Sequence, residues 1–334
     1  LNYILDQALK VVNIWSIHMV IDFHVCPSID LSIIKDRLSS VGVSKVVLQP
    51  IDALPLFHIL PNNYNLLKEL VSEDEYGALL WSKFVIKLTS MWSSVMYDNM
   101  KLWYEAMNHD RNFFIPFASI NPALGIKYVA EKLNELSSLD VRGLVVSPTL
   151  QLFNPLETKA FRSILEYVEG KNMLLVMHLD PCPYSVSTCF KGLMPSALID
   201  ILERYSINLV LSALGISESM AYPWLESVSR LVRRYDRIYV ETSGISCILF
   251  NTQMGKRFLK SIGAERILFG GGYPYLRLRQ VIKGINCVER SGLPRHDIEA
   301  VLHDNAAYLL RIIGLSEGSN DEDITNMKKT TVAF

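Results

Sequence analysis

Eight apolar runs, each five to eight residues long and set apart by helix-sized intervals, constrain this chain more than anything else in it. They are VIDFH (20–24), SKVVLQP (44–50), FFIPFASI (113–120), RGLVVSP (142–148), NMLLVMH (172–178), INLVLSA (207–213), DRIYVETS (236–243) and ERILFGG (265–271). They are nearly continuous in hydrophobicity rather than strictly alternating, as strands of a parallel sheet buried on both faces must be. Between several of them the period changes to that of a helix. In ETKAFRSILEYVEGKN, Phe161, Ile164, Leu165 and Val168 make one stripe, with Gly170 where a helix would end. In WLESVSRLVRRYD the stripe is Trp224, Val228, Leu231, Val232 and Tyr235. Strand and helix alternating eight times in roughly 300 residues predict a (β/α)8 TIM barrel. A doubly wound open sheet is the alternative, because strand order is not written in the sequence.

The cadence breaks between the second and third runs. Residues 52–112 are rich in Trp, Met and Tyr, and Trp81, Trp92 and Trp103 recur every eleven residues, which returns to one helix face after three turns. This predicts a helical insertion with a small core of its own; a lid over the barrel mouth or a subunit interface is the sharper reading. The barrel itself is expected over 19–314, with 1–18 as an N-terminal extension and 315–334 as a polar tail.

Half of the residues are hydrophobic and 33 Lys and Arg stand against 34 Asp and Glu, so a large core is expected and a nucleic-acid-binding stripe is not. No apolar run reaches membrane-spanning length, and Asp6 and Lys10 interrupt the pattern that a secretory leader would need. The five cysteines are odd in number and lack framework spacing, which predicts reduced thiols and a cytoplasmic protein. Cys189, Cys247 and Cys287 read as small buried apolar side chains.

The strand ends carry the chemistry. His24 and Cys26 are two apart on one strand, so their side chains point the same way, as metal ligands do. His178 closes the fifth run, Glu241 stands near the end of the seventh in VETS, and GGG (270–272) straddles the end of the eighth. IDFHVCP, FFIPFASINPALG, LLVMHLDP, LVLSALG, RIYVETSG, ILFGGGYPY and HDNAAYLL follow one another in an order that resembles the amidohydrolase-related family, in the branch of aminocarboxymuconate-semialdehyde decarboxylase. The resemblance runs from about residue 19 to about 314. It implies a TIM barrel with a divalent metal, commonly zinc, at the C-terminal mouth. It also implies hydrolysis or decarboxylation of a small carboxylate or cyclic substrate, and an assembly that is a homodimer or part of a complex.

Carried over position by position, the resemblance places His24 and His178 among the metal ligands. It puts Cys26 where the family has its second first-strand histidine, Ala213 at the sixth-strand histidine and Gly272 at the eighth-strand aspartate. Two readings follow. In the first, the metal centre is degraded and the barrel persists as a non-catalytic scaffold, binding protein or subunit. In the second, His24, Cys26 and His178, with Cys182 as a fourth donor, form a rebuilt zinc site, a thiolate being a good zinc ligand. The missing carboxylate would then come from Asp22, Asp180 or Glu241, and a proton relay from His303 or His58. Asp180 and Glu241 are accordingly the catalytic candidates, and Ser147, Tyr273 and Arg277 the substrate-binding ones. GGG could also cradle an anion through its backbone amides, though a strand end that has lost its carboxylate is the simpler reading.

Overall fold

The computed structural model describes residues 19–52, 98–151, 153–178, 195–212 and 218–313. Residues 1–18, 314–334, Trp81, Trp92, His58, Asp180, Cys182, Cys189 and Ala213 lie outside them, and so does most of the proposed insertion. The eight runs become eight barrel strands. They are β1 (Val20–Val25), β2 (Val43–Leu48), β3 in two halves (Phe114–Pro116 and Ala118–Ser119), β4 (Gly143–Val146), β5 (Leu174–His178), β6 (Asn208–Ser212), β7 (Ile238–Glu241) and β8 (Ile267–Leu268). All neighbouring pairs are parallel.

β3 changes partner at Phe117, whose N–H donates to Leu48 O at 3.0 Å: its first half pairs with β2 and its second with β4. The ring closes between the chain after β8 and β1. Phe23 N donates to Phe269 O, Gly272 N to His24 O and Cys26 N to Tyr273 O, each at 2.8 Å. Closure excludes the open doubly wound sheet.

The period-two alternation of each strand divides the core. One set of side chains, including Ile34, Leu38, Phe161, Ile164 and Val228, fills the space between strands and helices. The other fills the barrel with Phe23, Val47, Phe117, Val145, Val176, Val210, Tyr239 and Leu268. Two residues further along six of the eight strands the same inward face turns polar, at Gln49, Ser119, Ser147, His178, Ser212 and Glu241, all buried. A floor of apolar side chains thus carries a layer of polar ones at the C-terminal mouth, where barrels of this kind place their chemistry.

The helices pack by the stripes the sequence shows. In Lys159–Gly170, Phe161, Ile164, Leu165 and Val168 are all at most 1 % exposed, each contributing about 1.5–3 kcal/mol of burial. Gly170 is the last helical residue, but the left-handed residue that turns the chain is Asn172, at φ 49°. In Glu218–Arg234, Trp224, Val228, Leu231 and Val232 are buried and Tyr235 is half-buried.

Of the 52–112 stretch, the helix Asn99–Asp110 is described. It packs on Leu31–Ser39 and β3, and its Trp103 donates Nε1–H to Asp140 O at 3.3 Å. Both flanks of residues 53–97 are tied to the end of β3. Asp52 N donates to Ser119 Oγ at 3.0 Å, and Asn99 brackets the Ser119 backbone with bonds of 2.8 and 2.9 Å.

One expectation is overturned. Cys247 and Cys287 are neither the reduced thiols nor the separate apolar side chains expected: they form a disulfide joining the helix Ser246–Asn251 to the helix Leu278–Glu289, with Cα atoms 5.1 Å apart. The pairing spans 40 residues and depends on two barrel helices being neighbours, so linear spacing could not disclose it. Among the described residues no helix is long and apolar enough to cross a membrane.

Candidate metal centre

His24, at the end of β1, is the hub of the mouth. Its Nδ1–H donates to Glu241 Oε2 at 2.8 Å, and both side chains are fully buried. The hydroxyls of Ser212 and Ser243 donate to the same oxygen, each at 2.8 Å, and lie 3.2 Å from His24 Nδ1. The second oxygen, Oε1, accepts the backbone N–H of Ser243. Burial is the strongest single influence on His24 and acts to strip its proton, but the charge and hydrogen bond of Glu241 and the contact with Cys26 together outweigh it and push the imidazole up to about 10. On the other ring edge, His24 Nε2 lies 3.8 Å from Cys26 Sγ.

His178 faces this group, its ring centroid 4.7 Å from that of His24. Its Nε2 is 2.8 Å from Gln49 Oε1, while its Nδ1 is buried without a hydrogen-bond partner. Burial, reinforced by the charge on His24, drives this imidazole well below its ordinary value and keeps it neutral.

The glycine triplet is occupied by the protein itself. A Cβ on Gly270 would stand 1.6 Å from Glu241 Oε1, and one on Gly271 would stand 2.3 Å from Asp22 Oδ2. Gly270 therefore makes room for Glu241 inside the barrel. Gly271 makes room for Asp22 on the helix-facing side, beside Val281. All three amides are spent: Gly270 N on Thr242 Oγ1 at 3.4 Å, Gly271 N on Asp22 Oδ1 at 2.7 Å and Gly272 N on His24 O at 2.8 Å. This overturns the anion-cradle reading of 270–272, because no N–H is left to turn toward a ligand. Asp22 also accepts His24 N at 3.0 Å and leaves Oδ2 unpartnered; burial, chiefly, pushes its carboxyl up to about 7.

The remaining candidates are dispersed. Ser147 is buried at the end of β4, where its N–H donates to Gln151 Oε1 at 2.9 Å. Tyr273 is buried, but its hydroxyl is turned toward the helix layer and accepts from Arg37 Nη1 at 3.0 Å. Arg277 is exposed and caps the start of Leu278–Glu289, its N–H donating to Gln280 Oε1 at 2.8 Å. His303 pairs with the adjacent Asp304 at 2.8 Å. Gln49, Ser212 and Ser243 are the members of the mouth that the sequence reading did not single out. The signal for Gln49 and Ser212 is the two-residue offset from Val47 and Val210, the same offset that puts His178 beyond Val176.

The donor chemistry fits a metal in kind. Each histidine has one ring nitrogen beside a buried acceptor, Glu241 for His24 and Gln49 for His178, as metal-ligating imidazoles do. His178 Nδ1 is an orphaned buried donor atom, and a thiol stands beside His24 Nε2. Even so, among the described residues no three His, Cys, Asp or Glu side chains are grouped closely enough to hold an ion as they stand.

A family model described as amidohydrolase matches residues 71–312. No curated protein matches the sequence. Among solved structures, an uncharacterized TIM-barrel protein from Bordetella bronchiseptica is similar at TM-score 0.63, with 15 % identity over 89 % of this chain and 100 % of its own. A probable 2-pyrone-4,6-dicarboxylic acid hydrolase from Acinetobacter baumannii gives 0.56, with 14 % identity over 87 % of this chain and 99 % of its own. A 2,6-dihydroxybenzoate decarboxylase from Rhizobium gives 0.51, with 14 % identity over 88 % of this chain and 99 % of its own. At such identities the likeness is one of fold.

Proposed function

The chain belongs to the amidohydrolase family, and on that premise we propose that it is a metal-dependent hydrolase or carbon–carbon lyase acting on a small carboxylate or cyclic substrate. The observation that carries this is His178 Nδ1, a buried nitrogen with no partner, on a ring packed against that of His24. An imidazole kept only for packing would have no reason to leave a buried acceptor bare, since that costs about 1–3 kcal/mol. His24 Nε2, His178 Nδ1 and Cys26 Sγ would hold the ion, with zinc favoured by the thiolate.

When bound, such an ion supplies electrophilic pull on a carbonyl or carboxylate oxygen. The chain's own groups do the rest. Glu241 holds the proton on His24 Nδ1 and so aims Nε2 at the mouth, and the Ser212 and Ser243 hydroxyls hold Glu241 in place. Glu241 is thereby committed to positioning His24. The similar hydrolase and decarboxylase structures support the substrate class, both being named for small ring acids.

A second reading is favoured by Gly272, which offers no donor, and by the absence of a ready three-donor group among the described residues. In it the barrel is a non-catalytic binding protein or subunit, held together by the His24–Glu241 pair in place of an ion. Metal analysis of protein purified without chelators separates the two. Near-stoichiometric zinc that is lost in His178→Ala supports the enzyme; no metal in either protein, even after incubation with zinc, leaves the scaffold.

A further inference from the structure

Gln49 touches both histidine-bearing strands and has no assigned part in the site. It directly follows β2, is fully buried, and lies two residues beyond the inward-facing Val47. Its backbone N–H donates to Val25 O at 2.8 Å, and its side-chain Nε2 donates to Phe23 O. These two bonds pin it to β1 on either side of His24. With the amide nitrogen spent on a carbonyl, which only accepts, the amide cannot be flipped without losing that bond. Its Oε1 is therefore the atom presented to His178 Nε2, 2.8 Å away. An amide oxygen only accepts, so the His178 proton must sit on Nε2, and Nδ1 is left as a bare lone pair.

We propose that Gln49 is the positioning residue of this centre: it fixes His178 in the Nε2–H tautomer and so makes Nδ1 the open donor for a divalent metal. The inference rests on the metal-site reading above. It assigns to the second strand, which contributes no ligand, the task of preparing one on the fifth. It also joins the two histidines mechanically, because the side chain that orients His178 is bonded to the carbonyl immediately before His24.

The test uses two substitutions in the full chain. Gln49→Leu keeps the volume and removes the acceptor; Gln49→Glu restores an acceptor facing His178 Nε2. Nitrogen-15 chemical shifts of the His178 ring in metal-free protein report the tautomer directly. Zinc affinity is measured by competition with a chromophoric chelator, and thermal melts confirm folding. Expected are a single Nε2–H tautomer in the wild type and a mixture in Gln49→Leu. Zinc binding should weaken by roughly 10–100-fold in Gln49→Leu, the range for loss of such an outer partner, and recover in Gln49→Glu. Unchanged tautomer and unchanged zinc affinity in a folded Gln49→Leu overturn the inference while leaving the metal site standing. A wild type that binds no zinc overturns the metal reading, and the ring shifts then still decide whether Gln49 sets the tautomer. If Gln49→Leu does not fold, Gln49→Glu decides: loss of the Nε2–H signature there overturns the proposal, and its retention supports it.

Discussion

Placing a methyl group on Gly270 should damage the mouth more than almost any other small substitution in the barrel. Its φ is not in the left-handed region, so the backbone accepts alanine. The obstacle is Glu241: the new Cβ would lie 1.6 Å from Oε1, 2.4 Å from Cδ and 2.9 Å from Cγ. A swing of the carboxylate tip alone does not clear three atoms, so the side chain must leave its seat. That breaks its bonds to His24, Ser212 and Ser243 together. Breaking a buried ion pair while leaving its charges inside costs about 3–5 kcal/mol. In a chain of this length each kcal/mol shifts the melting temperature by at most about 2–4 °C, so Gly270→Ala should melt roughly 5–15 °C lower.

Gly170→Ala is the control, since a Cβ there meets nothing within 4 Å; at a helix end it should be neutral or slightly stabilising. Differential scanning calorimetry of both variants, repeated in a Glu241→Ala background, gives a double-mutant cycle. With the carboxylate gone the methyl has an empty seat, and most of the Gly270→Ala penalty should vanish. A Gly270→Ala protein as stable as Gly170→Ala, or a penalty undiminished by Glu241→Ala, would refute the claim that this glycine exists to house Glu241.

Two further outcomes follow from the same cluster. In metal-free protein, His24 has a folded-state value of about 10 against an ordinary 6.5. The folded state holds the extra proton between those values, so the stabilisation is complete below about pH 6.5 and lost as pH rises toward 10. Asp22, raised from 3.8 to about 7, adds a loss of stability as pH rises across its own window. Urea midpoints should therefore fall from pH 7 to pH 10, and Glu241→Gln should flatten that slope; a midpoint that rises over the range contradicts the ion pair. Gly272→Asp, the substitution that returns a carboxylate to the eighth strand, meets a backbone at φ 67°. An L-residue there costs about 1–2 kcal/mol, so its melting temperature should drop by a few degrees while zinc binding tightens. No change in zinc affinity would mean that position 272 does not face the donors.

The barrel was legible because parallel strands covered on both faces are apolar at nearly every position, so each run announces itself without knowledge of its partners. His24, Cys26, His178 and Glu241 were legible because charged or sulfur-bearing residues at the ends of such runs have few structural uses. Gln49, Ser212 and Ser243 are ordinary residues at strand ends, and only the two-residue step from the apolar layer marks the first two. The role of the glycine triplet was hidden for a different reason. Its meaning lies in contacts with Asp22 and Glu241, on strands adjacent in space and distant in sequence, and a linear reading sees only missing side chains. The Cys247–Cys287 disulfide was hidden in the same way, by a contact between helices that exists only once β7 and β8 are neighbours.

The pH behaviour and the metal reading are linked through one nitrogen. A proton on His24 Nε2 and an ion at that atom exclude each other, so metal uptake must release the proton that the Glu241 pair retains. Cys26 must lose its own proton to ligate as thiolate. Zinc affinity should therefore climb with pH across the interval in which the metal-free fold loses stability. On the metal-site proposal the two trends oppose each other: at low pH the His24–Glu241 ion pair would steady the mouth without an ion, and at high pH a bound ion would take over that task. Glu241 would serve both states unchanged, accepting from Nδ1 in each, and its burial, its bonds from two serines and the space above Gly270 hold it ready for that.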